Sequence, residues 1–175
     1  DIGQVAPLLA AASQSFGQLA GVSRLLPDPD LLVRPYMRRE AILSSRIENT
    51  HTSFSELVAF ETTGVETPAG GDAREVLQYV LALEYGLRHV LDKGITMDLV
   101  RAVHRHLLVG GRGAAFSTPG EVRTVQNHIG GGTPDPADAR YVPPPPLEAQ
   151  MLLSQLIEYL APPKLETPPL LEAAW

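Results

Sequence analysis

Five histidines, three consecutive glycines and a serine-rich helix end are the residues most able to do chemistry here. His104-Arg105-His106 invites a metal reading. On a helix, however, positions two apart point about 200° from each other, so one ion cannot take both rings. The string HExxH does not occur, and His51, His89 and His128 stand apart from one another. The pattern predicts no metal site. Gly130-Gly131-Gly132 has the look of a phosphate cradle, but a phosphate loop needs Gly-Lys-Ser/Thr opening a helix, and none follows. The glycines read as a loop tip. Gly-x-Ser-x-Gly is absent, Ser44 and Ser45 fall within a helix with no base nearby in sequence, and no pair of carboxylates has acid–base spacing. With no cysteine, disulfides, thiolate metal sites and cysteine nucleophiles are excluded. No catalytic residue is assigned.

Two features are left without a packing role. Ser44-Ser45-Arg46-Ile47-Glu48-Asn49-Thr50 closes a helix, with Ser44 and Glu48 on one face. A glutamate in a last turn opposes the helix dipole at a cost of about 0.3–1 kcal/mol. It is either an anion kept there to hold an arginine or an ordinary surface residue. The second feature is Tyr141-Val142 followed by four prolines. An exposed edge closed off by proline can accept an extended peptide by strand addition, or it can be a plain loop.

The elements that must position these residues are mostly helices. Val5, Leu8, Leu9, Ala12, Phe16 and Leu19 have helical spacing over residues 5–20. Pro35 suits the first turn of a helix reaching about Glu48, with Tyr36, Glu40, Leu43 and Ile47 on one side. Ser53-Phe54-Ser55-Glu56 has the form of a capping box ahead of Leu57, Val58 and Phe60, and Asp72-Ala73-Arg74-Glu75 repeats that logic. The helix after it carries Val76, Val80, Leu83, Leu87 and Val90 as a stripe and stops before Gly94. Thr96 caps the next, with Leu99, Val100, Val103 and Leu107 inward and an end at Gly110-Gly111; another runs from about Pro146 to Leu160. Between them, Thr124–Ile129 and Arg140–Pro144 read as two short strands around a Gly/Pro/Asp-rich tip, Gly130–Asp138. The expected fold class is all-α with one exposed β-hairpin.

Composition sets outer limits. The chain has 175 residues, 44% hydrophobic and 19% charged, enough to bury a core. Acidic residues number 20 against 14 basic, a net charge of −6, which argues against binding nucleic acid through bulk charge. Nothing approaches the ~18 consecutive apolar residues of a membrane span. The sequence begins at Asp1 with no basic leader before an apolar run, so a reduced, cytoplasmic setting is expected.

At the helix end and the hairpin the chain resembles the Fic (filamentation induced by cAMP) family of AMP transferases, in particular members with an N-terminal inhibitory helix. Arg38-Arg39-Glu40-Ala41-Ile42-Leu43-Ser44-Ser45-Arg46-Ile47-Glu48-Asn49-Thr50 is similar to the inhibitory segment [S/T]xxxE[G/N], whose positions fall on Ser44, Glu48 and Asn49. Pro119-Gly120-Glu121-Val122-Arg123-Thr124-Val125-Gln126-Asn127-His128-Ile129-Gly130-Gly131 and Ala139-Arg140-Tyr141-Val142-Pro143-Pro144-Pro145-Pro146 resemble the two arms of the family's flap. Two positions depart from habit: His128 stands where tryptophan is common, and Asn49 where glycine is usual.

The resemblance implies a Fic-like helical fold. Residues 1–62 would be the N-terminal region with the inhibitory helix, and 72–175 the first part of the core, including a flap hairpin at 120–146. It implies transfer of AMP from ATP, with Mg²⁺, to a Ser, Thr or Tyr hydroxyl of a protein target. The target would dock on the flap at Gln126, Asn127, His128, Ile129, Gly130, Gly131, Arg140, Tyr141, Val142 and Pro143. Glu48 would pair with the last arginine of the catalytic string HPFx[D/E]GNGRxxR and deny the ATP γ-phosphate its seat. That string does not occur in these residues, so the catalytic base, the metal ligand and the phosphate cradle are missing from them. Neither ATP nor Mg²⁺ is expected to bind them tightly, and no AMP transfer is expected from them alone. The helical stripes that the missing segment would cover are expected to be exposed, opening a route to self-association. Two other readings stay open: a non-enzymatic regulatory or peptide-binding module derived from a Fic protein, and a plain helical interaction domain.

Overall fold

The computed structural model describes residues 2–65, 72–110, 118–132, 135–161 and 168–172. Its helices are α1 (Ile2–Ser23), α2 (Asp30–Ile47), α3 (Phe54–Thr63), α4 (Ala73–Lys93), α5 (Met97–Leu108), α6 (Pro146–Leu160) and the short α7 (Pro169–Glu172), with one 3-10 turn at Pro136–Asp138. Apart from one isolated bridge, every regular element among the described residues is a helix.

The chain divides into two compact units. One comprises Asp1–Glu40 with Pro162–Trp175, the other Ala41–Ala161. In the first, α7 lies against α1. The α1 helix is longer than its apolar spacing predicts, and Leu8, Phe16 and Leu19 of its stripe are exposed. The α2 helix begins five residues before Pro35, at Asp30. Asp28 explains this: its Oδ1 accepts the Asp30 N–H at 3.0 Å, and the Pro29 carbonyl accepts from Val33 at 3.2 Å. Pro29 therefore takes the helix-opening place expected of Pro35.

The second unit holds the core: Ala41, Ile42, Leu57, Val76 and Val80, with Leu77 and Tyr79 packed against it. The α2 face that is buried is thus Ala41–Ile42. Tyr36, Leu43 and Ile47, expected to share a packed side, are exposed, Ile47 to 85%. Periodicity defines a stripe but not which stripe meets a neighbour. The α3 helix packs on α4 through Leu57 and Phe60, and α4 packs on α5. Gly86 permits that last approach, since a Cβ there would meet Val103 Cγ2 at 3.3 Å.

Between α4 and α5 the expected inward stripe is only half covered. Leu83, Leu87, Val90, Leu99, Val103 and Leu107 line an open apolar trough of ≈ 480 Å³, and no residue of α5 is fully buried.

The two-stranded hairpin is not shown. Among the described residues there is no strand; Ile129 and Tyr141 form a single antiparallel bridge, with N–H···O bonds of 2.8 and 3.1 Å. Pro143–Pro146 have no N–H to extend a ladder on one side, and Gly130 and Gly131 turn the chain away on the other, at φ of 76° and 92°. Residues 133–134 of the tip lie outside the described residues. The Asp72 box does not form, since Asp72 makes no cap hydrogen bond. The α5 helix stops at Leu108, ahead of Gly110 with φ of 78°, and Gly111 lies outside the described residues.

Candidate functional site

The α2 helix ends in a left-handed cap, and that cap sets where Glu48 stands. Asn49 has φ of 58°. Its N–H donates to the Arg46 carbonyl at 3.1 Å, and the Thr50 N–H reaches back to Ser45 at 3.0 Å. Those two bonds with a left-handed residue between them make a Schellman motif, in which Asn49 is the left-handed residue and Glu48 the helix-capping one. The position calls for glycine or asparagine because other side chains crowd the backbone there. This is a physical reason for the [G/N] alternative in the sequence pattern.

The chain after the cap is tied to α4. Thr50 is buried, and its hydroxyl donates to Glu75 Oε2 at 3.4 Å. The His51 N–H donates to Asp72 Oδ2. Asp72 and Glu75, two carboxylates three residues apart at the start of α4, thus bind consecutive residues of the linker. Sequence reading missed this clamp by assigning both residues to a capping box. The one signal available was that Thr50-His51 follows the helix end directly.

The α3 cap holds the other side of the linker. Ser53 Oγ accepts the Glu56 N–H at 3.2 Å, and Glu56 Oε2 accepts the Ser53 N–H at 2.7 Å. The backbone N–H of Ser53, then its hydroxyl, hold the Glu56 carboxyl below the usual range. Arg46, His51, Thr52, Ser53 and Glu56 line a polar notch of ≈ 440 Å³ between the two helix ends.

With both ends of the linker fixed, the three residues of the motif differ in position. Ser44 is half-buried on α2. Glu48 and Asn49 are exposed. No ion pair engages Glu48 among the described residues, so its carboxylate is presented outward from a braced helix end.

The residues expected to form a flap meet at one crossing. Gln126 Nε2 donates to the Asn127 carbonyl at 2.9 Å and the Pro143 carbonyl at 2.8 Å, and Arg123 donates through Nη2 to the Pro144 carbonyl. Ile129, Tyr141 and Val142 are exposed, His128 and Pro143 half-buried. Arg140 lies against Gly130, its Cβ 2.8 Å from where a Cβ would stand. The arms are joined by side chains and one bridge rather than by a ladder.

His104 and His106 diverge, as their spacing requires. His104 Nδ1 accepts the Gly120 N–H at 2.9 Å, whereas His106 packs on the Tyr85 ring at 4.4 Å between centroids. Tyr85 also stacks on His89 at 4.0 Å. Among the described residues no three His, Asp or Glu side chains gather in a way that could hold a metal ion. No helix among them is long and apolar enough to cross a membrane.

Comparison with known proteins gives one finding for this geometry. Residues 6–88 match the family model of the Fic/DOC family N-terminal region. That stretch contains α2, its cap, the linker clamp and most of α4. No curated protein matches the chain. The matched stretch is a Fic-family N-terminal portion.

Proposed function

We propose, from that Fic-family portion, that this chain is the inhibitory and target-docking part of a protein adenylyltransferase. In the reaction a target hydroxyl oxygen attacks the α-phosphorus of ATP. A P–O bond forms to the hydroxyl oxygen, the bond to pyrophosphate breaks, and the hydroxyl proton passes to a base. The residues of this chain do not supply that base, because HPFx[D/E]GNGRxxR is not among them. Their part is control and orientation.

One observation carries the reading: Glu48 is an exposed carboxylate without an ion pair among the described residues, on a helix end locked by the Asn49 cap and the Asp72–Glu75 clamp. A carboxylate held so is preorganised to meet a guanidinium. An arginine engaged by Glu48 cannot also grip the γ-phosphate, and ATP then lacks the in-line pose. The crossing of Gln126, Ile129 and Tyr141, with Val142 exposed beside it, leaves main-chain groups beyond the bridge for an extended target segment.

The test is radiolabelling with [α-³²P]ATP and Mg²⁺. The 175-residue chain should take up no label. In a polypeptide carrying both this stretch and HPFx[D/E]GNGR, Glu48→Gly should raise self-labelling about tenfold or more, and Glu48→Asp should not. Equal labelling of wild type and Glu48→Gly would remove Glu48 as the gate.

A further inference from the structure

The turn ahead of the 124–144 crossing hangs on one imidazole. Residues 118–121 form a tight turn, closed by the Glu121 N–H on the Thr118 carbonyl at 2.9 Å. Pro119 stands second in it and Gly120 third, with φ of +86°. That is the type II pattern, in which proline pre-sets the second residue and the third calls for glycine. The closing bond leaves the Gly120 N–H unused. Gly120 is buried, so that donor needs a partner from outside the turn. His104 of α5 supplies it, with Nδ1 at 2.9 Å from the Gly120 nitrogen. The turn is pressed close to α5, since a Cβ on Gly120 would stand 3.1 Å from the Arg101 carbonyl and 2.7 Å from Nη2 of Arg105. Two residues beyond the turn, Arg123 donates to the Pro144 carbonyl, so the seat of the turn on α5 also fixes where the two arms meet.

A backbone N–H can only donate, so Nδ1 must accept, and the neutral ring carries its hydrogen on Nε2. A second proton goes to Nδ1. It replaces the acceptor with an N–H that faces the N–H of Gly120, and the bond is lost. No carboxylate pairs with the ring among the described residues. On α5 its charged neighbours are Arg101 and Arg105, both cations. The α4 helix contributes Leu83, Gly86 and Leu87 to the trough that His104 borders, and no charged side chain lines that trough. Glu121, the acid of the turn, is exposed, and its carboxylate makes no hydrogen bond or ion pair among the described residues. We propose that His104 is a proton-operated latch: neutral, it holds Gly120 and the base of the crossing on α5, and protonated, it lets them go. The latch depends neither on Glu48 nor on what docks at the crossing.

The test is NMR on the ¹⁵N- and ¹³C-labelled 175-residue chain, titrated from about pH 8 to about pH 5, the span in which histidine changes charge. At the upper end the His104 ring should carry its hydrogen on Nε2. On titration the Gly120 amide signal should shift with the same midpoint as the His104 ring. Its protection from hydrogen exchange, corrected for the intrinsic effect of pH, should fall about tenfold or more, as expected when a buried donor loses its acceptor. Ile129 and Tyr141 should lose protection in the same step, and Val76 and Val80 should keep theirs. In His104→Asn an amide oxygen replaces Nδ1 and does not titrate, so Gly120 should stay protected throughout. A hydrogen on Nδ1 at the upper end, or Gly120 protection that stays level while the ring titrates, overturns the latch. So does an equal fall in His104→Asn, or a fall at Val76 and Val80 that matches Gly120 and so makes acid unfolding the cause. A fall at Gly120 with Ile129 and Tyr141 unchanged overturns the reach of the latch to the crossing. Should His104→Asn fail to fold, the wild-type ring and amide curves still decide.

Discussion

Asp72, at the start of α4, accepts the backbone N–H of His51, three residues beyond Glu48. This bond, with Thr50 on Glu75, makes the position of the α2 helix end a property of α4 rather than of a free linker. A carboxylate that must meet one particular guanidinium gains from such bracing, because less motion has to be frozen when the pair forms.

Replacing Asp72 should therefore loosen the helix end without unfolding the unit. Asp72→Ala removes an acceptor from an exposed backbone N–H, and a loss of roughly 1 kcal/mol is expected. Hydrogen exchange should quicken at Thr50 and His51 and stay unchanged at Val76 and Val80. Equal quickening at all four would mean that Asp72 supports the whole core instead.

Asn49 gives a backbone test at the next position. Its left-handed conformation is open to glycine, so Asn49→Gly should change stability by only a few tenths of a kcal/mol. Asn49→Val should cost about 1–2 kcal/mol, the penalty of a branched side chain in that region. Urea denaturation of the two variants measures the difference, and equal midpoints would show that residue 49 is not held left-handed in solution.

What could be read from sequence divides by the range of the interaction. The Ser53–Glu56 box, the Thr96 cap on the Leu99 N–H and the full extent of α6 lie within a few residues of their signals, and all stand as predicted. Asp72 and Glu75 carry the same local pattern as Ser53 and Glu56. They are drawn off by partners 21 and 25 positions away, which no local pattern reveals. The buried face of α2 was misplaced for a related reason. Leu43 and Ile47 are larger and more apolar than Ala41, yet the small residue allows close approach to the core of Leu57, Val76 and Val80. Between residues 124 and 144, residue types favour strands, but a ladder needs donors on both arms, and proline and glycine leave one bridge. Ser44, Glu48 and Asn49 fall on one continuous helix end, so their local geometry follows from the cap at Asn49.

The α3 cap carries a pH prediction. The Glu56 carboxyl titrates below its ordinary value of 4.5 because the Ser53 N–H and hydroxyl hold its anion. A depressed acid adds stability above its unfolded value, and that share is lost as pH falls through the folded one. The cap should therefore be fully formed at neutral pH and weaken on acidification below about 4.5. In Glu56→Gln that acid-dependent share should vanish, while Ser53→Ala should lower stability at neutral pH by about 0.5–2 kcal/mol. Thermal midpoints of wild type and Glu56→Gln, measured from neutral pH downward, should converge on the acid side. Parallel curves would contradict the assignment.

The last prediction separates the true core from the trough. Leu57 is fully buried between α3 and α4, whereas Leu87 lies in the α4–α5 trough with 47% of its surface exposed. Both are leucines on helices that pack against a neighbour, so sequence treats them alike. Leu57→Ala should cost about 2–5 kcal/mol, through lost transfer energy and the cavity left behind. Leu87→Ala should cost well under half of that, because its surroundings are open and water already reaches the site. The same trough should bind a hydrophobic dye, and Leu87→Glu should reduce that binding with little change in the unfolding midpoint. Equal costs for the two alanine variants would mean that the trough is closed in solution, with α4 and α5 packed more tightly than the present geometry has them.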